Sequence, residues 1–532
     1  MDAHDIFRKL TSGVKFSKKS FAGSKLTVKQ NFNGQTNVVK LGEDDEDVKI
    51  KEEIEDDGYP SFSADNDEPV EVKEEEDKPT FNEEQLKEKV NRTRKQNSIT
   101  VSGKNVPAPI ESFDDCNILP QVLKNIVKMG YSNPTPIQMQ AIPIMMQGRQ
   151  ILACAPTGSG KTMAFLIPVI NSLKKPKSDG FRALIVCPTR ELARQIFREC
   201  TQLTEQTGLR TYLISKLTQK HISKGENISK KCDILITTPN RLVYILRQED
   251  SKMDLKHVEW LIVDESDKLF EVGVRGFRDQ LGEIYRACDS ENIKRAMFSA
   301  THTVHVAKWC KKHLKGMISV GVGHRNTAVN LVEQKLEFVG SEHGKLIAVR
   351  NLIHEGLHPP VLVFVQSKDR AKELFSELLY DGINVDIIHS DRTQIQRDNV
   401  VRAFREGKIW VLICTELMGR GIDFKGVNLV VNYDFPQSAI SYIHRIGRTG
   451  RAGRPGKAIT FFTEDDKPAL RTIATVMRDS GCAVPEFMLS LKKQNKKVKR
   501  KLEQSAPVRQ PISTNPTYKT NVNKKKRKKN TE

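Results

Sequence analysis

Two stretches of this sequence combine residue types able to handle a phosphorylated ligand. Ala155-Pro-Thr-Gly-Ser-Gly-Lys-Thr162 lies between a strand-like apolar run and the helical run Met163 to Leu173. Small residues let backbone N–H groups wrap phosphate oxygens at a helix N-terminus. Ala155, Pro156, Thr157, Gly158, Ser159 and Gly160 supply that wrap. Lys161 is expected to reach the β- and γ-phosphates, and the Thr162 hydroxyl to ligate Mg2+. Ala155 stands where the strict pattern has Gly, and is small enough to keep the turn. A glycine-rich turn by itself is equally a tight turn; the strand before it and the helix after it favour the phosphate loop. The second stretch, Trp260-Leu-Ile-Val-Asp-Glu265, is an apolar strand ending in two carboxylates. Asp264 is placed to hold Mg2+ through water, and Glu265 to position or deprotonate an attacking water. Without the loop upstream, Asp-Glu after a strand is a helix-start signal.

These groups need a sheet edge to hold them. From Ile110 to Gly323, β-rich runs such as Gln150–Cys154, Ala183–Cys187, Asp233–Thr237 and Trp260–Val263 alternate with helical segments. A second set follows Gly321–Asn330: Pro360–Val365, Val385–Ile388, Trp410–Cys414, Leu429–Val431 and Ala458–Phe462. Near-continuous apolar runs split by helices predict buried parallel sheets, so the fold class is α/β with two tandem domains. The expected boundaries are 1–110 for a disordered extension, 111–323 for the first domain and 324–331 for a linker. The second domain takes 332–481, and a basic, largely disordered tail 482–532.

The 532 residues exceed what one core holds. No apolar run approaches the roughly 20 residues of a membrane span, and Met1 to Phe21 lacks the pattern of a secretory signal. The nine cysteines include no C-x-x-C pair and read as reduced packing residues of an intracellular protein. The net charge of +20 is unevenly spread. Lys492 to Glu532 carries 15 Lys/Arg against 2 Asp/Glu, whereas Glu43 to Asp77 carries 18 acidic against 3 basic residues. The basic run, with Lys496-Lys-Val-Lys-Arg-Lys501 and Lys524-Lys-Lys-Arg-Lys-Lys529, fits a polyanionic partner, nuclear targeting or both. The acidic run equally fits a solvated tail.

The order of further blocks resembles the DEAD-box RNA helicases, over roughly Ile110 to Gly481. Gly130-Tyr-Ser-Asn-Pro-Thr-Pro-Ile-Gln138, with Phe113 upstream, looks like that family's adenine-reading Q motif. A glutamine amide can donate to and accept from an adenine edge, and Tyr131 can stack on the base. Pro188-Thr-Arg-Glu-Leu-Ala193 and Thr238-Pro-Asn-Arg-Leu242 look like RNA-contact blocks, which implies RNA roles for Arg190, Thr238 and Arg241. Ser299-Ala-Thr301 resembles the family's link between hydrolysis and RNA. Phe364-Val-Gln-Ser-Lys368 and Gln394-Ile-Gln-Arg397 match further RNA blocks, implying contact by Arg397. Cys414-Thr-Glu-Leu-Met-Gly-Arg-Gly-Ile-Asp423 implies an RNA contact by Thr415 and nucleotide contacts by Gly421 and Asp423. Tyr442-Ile-His-Arg-Ile-Gly-Arg-Thr-Gly-Arg451 resembles an arginine-finger segment, with Arg448 and Arg451 neutralising the transferred phosphoryl group. The resemblance thus implies RecA-like domains, ATP and Mg2+ as cofactors, and an RNA-dependent ATPase whose site forms when the domains close.

Four departures stand out. Ser266 occupies the third place of Asp264-Glu-Ser-Asp267, Asn240 replaces a Gly, and Glu416 replaces an Asp. A glycine pair is missing near Ser215-Lys-Leu-Thr218. Together they resemble the subgroup implicated in small ribosomal subunit assembly. That implies pre-ribosomal RNA and assembly proteins as partners, no membrane, a monomer, and a nuclear, nucleolar location. The competing readings are a DNA helicase of the same superfamily, an ATP-gated RNA clamp, and a splicing or translation role for the same activity.

Overall fold

The computed structural model describes residues 81–214, 232–249, 253–271, 276–323, 331–416, 424, 426–451, 454–492 and 507–512. The first lobe is built on an eight-stranded sheet: β1 (Ile99–Ser102), β2 (Ile151–Cys154), β3 (Ala183–Val186), β4 (Thr211–Leu213), β5 (Ile234–Thr237), β6 (Trp260–Val263), β7 (Lys294–Ser299) and β8 (Ile318–Val322). Its order is β1-β8-β2-β7-β6-β3-β5-β4, parallel except for the antiparallel edge strand β1. Strands β3, β5 and β6 are buried along their whole length, because helices cover both faces. Phe165 and Phe298 pack at 5.1 Å in one layer, while Leu184, Leu235 and Leu261 turn to the other.

The second lobe is a six-stranded, wholly parallel sheet of β9 (Val332–Phe338), β10 (Val361–Val365), β11 (Val385–Ile388), β12 (Val411–Thr415), β13 (Leu429–Asn432) and β14 (Gly456–Phe462). Its order is β11-β12-β10-β13-β14-β9. Both sheets belong to one compact unit of the chain. Two parallel sheets with helices on both faces are the RecA-like architecture that the strand patterns and the resemblance lead one to expect.

The structure adds ordered elements beyond both expected ends of the two lobes. Residues 81–110 are not all extension: Phe81–Gln96 is a helix, and β1 pairs along β8 from Ile99↔Val322 to Ser102↔Ser319. The helix is mostly polar, with Phe81, Leu86 and Val90 as its apolar residues, too few for an apolar period to announce it. Arg94 fastens it, donating to Gln140 Oε1 at 2.9 Å and to the Pro107 carbonyl at 2.9 Å. After Cys482, Glu486–Ser490 is helical and residues 507–512 pack on the second lobe. The acidic run, Ser215–Thr218 and the Lys524–Lys529 run lie outside the described residues.

Candidate active site

The phosphate loop joins β2 to the helix Lys161–Leu173, and Asp264-Glu265 follows β6, so both lie at the C-terminal edge of the sheet. This is where parallel sheets bind ligands. Gly160 begins the helix at φ +87°, in the left-handed region that glycine tolerates. A Cβ there would sit 2.5 Å from Gln138 Nε2 and 3.0 Å from Thr135 Oγ1. The reason is a clamp. Gln138 donates to the Gly160 carbonyl at 3.0 Å and accepts from the Thr135 N–H at 3.0 Å, while Thr135 Oγ1 donates to the Ser159 carbonyl at 2.8 Å. The resemblance implies Gln138 as an adenine reader; in the structure it is buried, with one end of its amide spent on the loop and the other on the Thr135 cap of its own helix. Tyr131 is half-buried at the edge of the core, and Phe113 lies within it.

Lys161 Nζ donates to the carbonyls of Ala155 and Pro156, each at 2.7 Å, which holds the ammonium under the loop. Burial pulls the Lys161 pKa below its ordinary value, against the pull of Asp264. Burial, reinforced by Glu265, pushes Asp264 up to about 7. Glu265 sits at φ +48°, a left-handed conformation that costs a non-glycine residue about 1–2 kcal/mol. Its Oε2 and the Ser159 hydroxyl are buried and have no hydrogen-bond partner. Buried polar atoms are rarely left unsatisfied, so these orphans mark where phosphate, water and metal ligation fit. ATP with Mg2+ suits this donor set: loop amides, Lys161, the Thr162 hydroxyl and the Asp264 carboxylate.

The second lobe closes on this edge. Thr157 Oγ1 donates to the Gly447 carbonyl at 3.0 Å, and a Cβ on Gly447 would strike Thr157 Oγ1 at 2.0 Å. Arg451 donates from Nε to the Gly447 carbonyl at 2.8 Å and lies against Gly158 of the phosphate loop. Arg448, 2 % exposed, donates from Nε to the His444 carbonyl at 3.0 Å. Gly421 and Asp423 lie outside the described residues.

Two links between the lobes escape a reading of local spacing. Asp267 Oδ2 accepts from Thr301 Oγ1 at 2.5 Å and lies 2.6 Å from His444 Nε2, all three being buried. Both Asp267 and His444 stand inside the quoted motifs, and that position is the only sequence signal for the contact. The other link concerns Arg397. The resemblance implies RNA contact for it, and the structure buries it and bonds its Nε to Glu191 Oε1 at 2.9 Å across the lobe boundary. Its other N–H groups go to the carbonyls of Ser390 and Arg392 and to Gln394 Oε1. Arg397 is thus a lobe–lobe bridge, and Arg194 pairs with Asp398 beside it.

Around this bridge the first lobe gathers cations. Arg190 starts the helix Arg190–Leu203, and Arg241, in the helix capped by Thr238, donates to the Ile214 carbonyl at 2.7 Å. Burial, then repulsion from Arg190, Arg194 and Arg397, lowers Arg241 to about 10. Thr415 ends β12, half-buried. Asn240 is exposed near the start of the Pro239–Leu246 helix, where a side chain replaces glycine without conflict.

A phosphate-binding loop, paired carboxylates and an arginine segment contributed by a second RecA-like lobe define a nucleotide-driven two-lobe motor. Residues 135–309 match the DEAD/DEAH box helicase model, and residues 344–453 the helicase conserved C-terminal domain. The chain belongs to the DEAD-box family of ATP-dependent RNA helicases. It is 56 % identical over 451 residues to the Bos taurus protein named "Probable ATP-dependent RNA helicase DDX52", covering 84 % of this chain and 76 % of that one. It is 43 % identical over 433 residues to "ATP-dependent RNA helicase ROK1" of Meyerozyma guilliermondii, covering 80 % of each. Among solved structures, S. cerevisiae Dbp5 bound to RNA and ADP BeF3 superposes with a TM-score of 0.63 at 27 % identity, covering 74 % of this chain and 99 % of that one. The chain is accordingly an ATP-hydrolysing enzyme whose nucleic-acid partner is RNA.

Proposed function

We propose that this enzyme hydrolyses ATP at a site shared by its lobes and uses closure to separate short RNA duplexes during small ribosomal subunit assembly. In this reading the Ala155–Thr162 loop cradles the phosphates, while Gln138, Tyr131 and Phe113 shape the base pocket. Thr162 and Asp264 would hold Mg2+, which would neutralise charge on the phosphates. Glu265 orients or deprotonates the attacking water, and Arg448 and Arg451 neutralise charge on the transferred group. Arg190, Thr238, Arg241 and Thr415 hold the RNA backbone, without base readout.

The observation that carries the RNA site is the guanidinium crowd at Arg190, Arg194, Arg241 and Arg397: burial first, then repulsion from the other three, lowers the Arg241 pKa, and a polyanion would relieve the repulsion. The ribosomal setting is supported by the Asp264-Glu-Ser-Asp267 resemblance and by the Lys-rich C-terminal runs, which also suit a nucleolar location. Lys161→Ala and Glu265→Gln should each reduce RNA-stimulated ATP turnover by roughly 10²–10⁴-fold. Wild-type-like turnover in either purified variant would sink the site assignment. Crosslinking to cellular RNA tests the setting: recovery of mainly pre-ribosomal RNA is expected, and mainly messenger or spliceosomal RNA would overturn it.

A further inference from the structure

Residues Pro507-Val-Arg-Gln-Pro-Ile512 lie across the second lobe, more than a hundred residues in sequence from most of what they touch. Arg509 is the centre of this strap. Its side chain is 5 % exposed and its guanidinium is bonded in three directions: to Glu342 Oε1 at 2.8 Å, Asp466 Oδ1 at 2.7 Å and Gln366 Oε1 at 2.9 Å. Gln366 Nε2 returns a bond to the Pro507 carbonyl at 2.7 Å, and Arg370 donates to the Gln510 carbonyl at 2.5 Å. Ile512 donates its N–H to Glu373 Oε2 at 2.9 Å, and its side chain joins the hydrophobic cluster of Val361, Leu374 and Leu378.

Charge balance explains the depth of the docking. Glu342 and Asp434 pair with Lys345 and Arg370, whereas the cation paired with Asp466 is Arg509, so removing Arg509 leaves the Asp466 carboxylate uncompensated. Arg509 makes the count equal, three carboxylates to three cations. A buried charge left unpaired is strongly unfavourable, so the lobe without its strap is incomplete. Burial alone would lower the Arg509 pKa, but Asp466, Asp434 and Glu342 outweigh it and hold the guanidinium above its ordinary value.

The strap also bears on one particular turn. Gln366 directly follows Val365, which is in register with Thr415 at the strand-end edge of the second sheet. The Gln366 N–H donates to Asp434 Oδ2 at 2.8 Å, and Ser367 caps the helix Lys368–Tyr380 by accepting from the Arg370 N–H at 3.2 Å. The turn is therefore held by Asp434 on one side and by the strap on the other. Both ends of the Gln366 amide are consumed by the strap, while Ser367 is half-buried and Lys368 exposed.

We infer that the strap is a working part of the RNA-binding lobe: Arg509 is a positioning residue that, through Gln366, Glu342 and Asp466, fixes the Gln366–Lys368 turn at the RNA-facing edge. The inference rests on the RNA reading of that edge.

The test uses the full chain and reads RNA-stimulated ATPase as half-saturating RNA concentration and saturated rate. Arg509→Ala is expected to raise half-saturating RNA roughly tenfold, the size of a lost charged hydrogen-bond array, with the saturated rate within about twofold. Arg509→Lys, which keeps the charge but not the three-way fork, should recover part of that loss. Ile512→Ser undocks the strap without altering charge and should reproduce the rise, which separates docking from a bulk electrostatic effect. Should Arg509→Ala fail to fold, Arg509→Lys and Ile512→Ser carry the same comparison. Unchanged half-saturating RNA in the folded variants, even with a lowered Tm, would make the strap a staple only and overturn the inference. Absence of RNA stimulation in the wild-type chain would instead overturn the RNA reading, and the inference with it.

Discussion

His444 Nε2 of the second lobe lies 2.6 Å from Asp267 Oδ2 of the first, and the same oxygen accepts from Thr301 Oγ1 at 2.5 Å. One carboxylate oxygen thus joins the carboxylate motif after β6, the Ser299-Ala-Thr301 turn after β7 and the arginine segment of the other lobe. All three side chains are buried, so none can shift without disturbing the others. The contact ties lobe closure to the nucleotide edge, because Asp264 and Glu265 are on the same turn as Asp267.

Asp267→Asn should therefore lower RNA-stimulated kcat by roughly 10²-fold, the cost of a small misplacement in a closed site, while ATP affinity changes little. Steady-state ATPase alongside equilibrium binding of a fluorescent ATP analogue checks this. A parallel loss of ATP affinity would mean that Asp267 serves binding rather than closure.

Ser266 carries a buried hydroxyl that finds no hydrogen-bond partner. Ser266→Ala removes an unsatisfied polar group, so stability should rise by about 1 kcal/mol with turnover within about twofold. Chemical denaturation reads the first quantity and ATPase the second. A destabilised variant would show that the hydroxyl has a partner in solution.

The arginine crowd predicts a salt signature. Arg241→Gln should weaken binding to unrelated RNA sequences alike and reduce the slope of log affinity against log salt by about 0.7–1. Titrations at several salt concentrations decide it. An unchanged slope would place the phosphate contacts elsewhere.

Asp434 supplies a pH dependence. Burial would raise its pKa, but Arg370, Lys345 and Arg509 outweigh burial and hold the carboxyl below its ordinary value. A carboxyl depressed on folding contributes stability above its unfolded pKa of about 4, and loses it as pH falls toward the folded value. Asp434→Asn should thus cost roughly 3–5 kcal/mol at pH 7. The gap between wild type and variant should close below about pH 4 in unfolding measured across pH. A gap independent of pH would mean the loss is steric.

The strand runs were legible because they depend on neighbours in sequence. Ala183–Val186, Ile234–Thr237 and Trp260–Val263 are apolar and β-branched, and each becomes a fully buried parallel strand. Strand β1 was not legible: Ile99-Thr-Val-Ser has too short a pattern, and its pairing with β8 lies more than 200 residues away. The Phe81–Gln96 helix was hidden for the same reason, being held by Arg94 against Gln140 and Pro107 rather than by an apolar face.

By itself the sequence determined the phosphate loop, the Asp264-Glu265 pair, the two parallel-sheet lobes and the class of chemistry, because each is written in a few adjacent residues. Only the tertiary structure decided what the charged and amide side chains do. Gln138 clamps the loop, Arg397 bridges to Glu191, His444 meets Asp267, and Arg509 returns from the tail to balance Glu342, Asp434 and Asp466. A long polar side chain buries itself where its charge is matched. That match is made between residues far apart in the chain, and no local spacing records it.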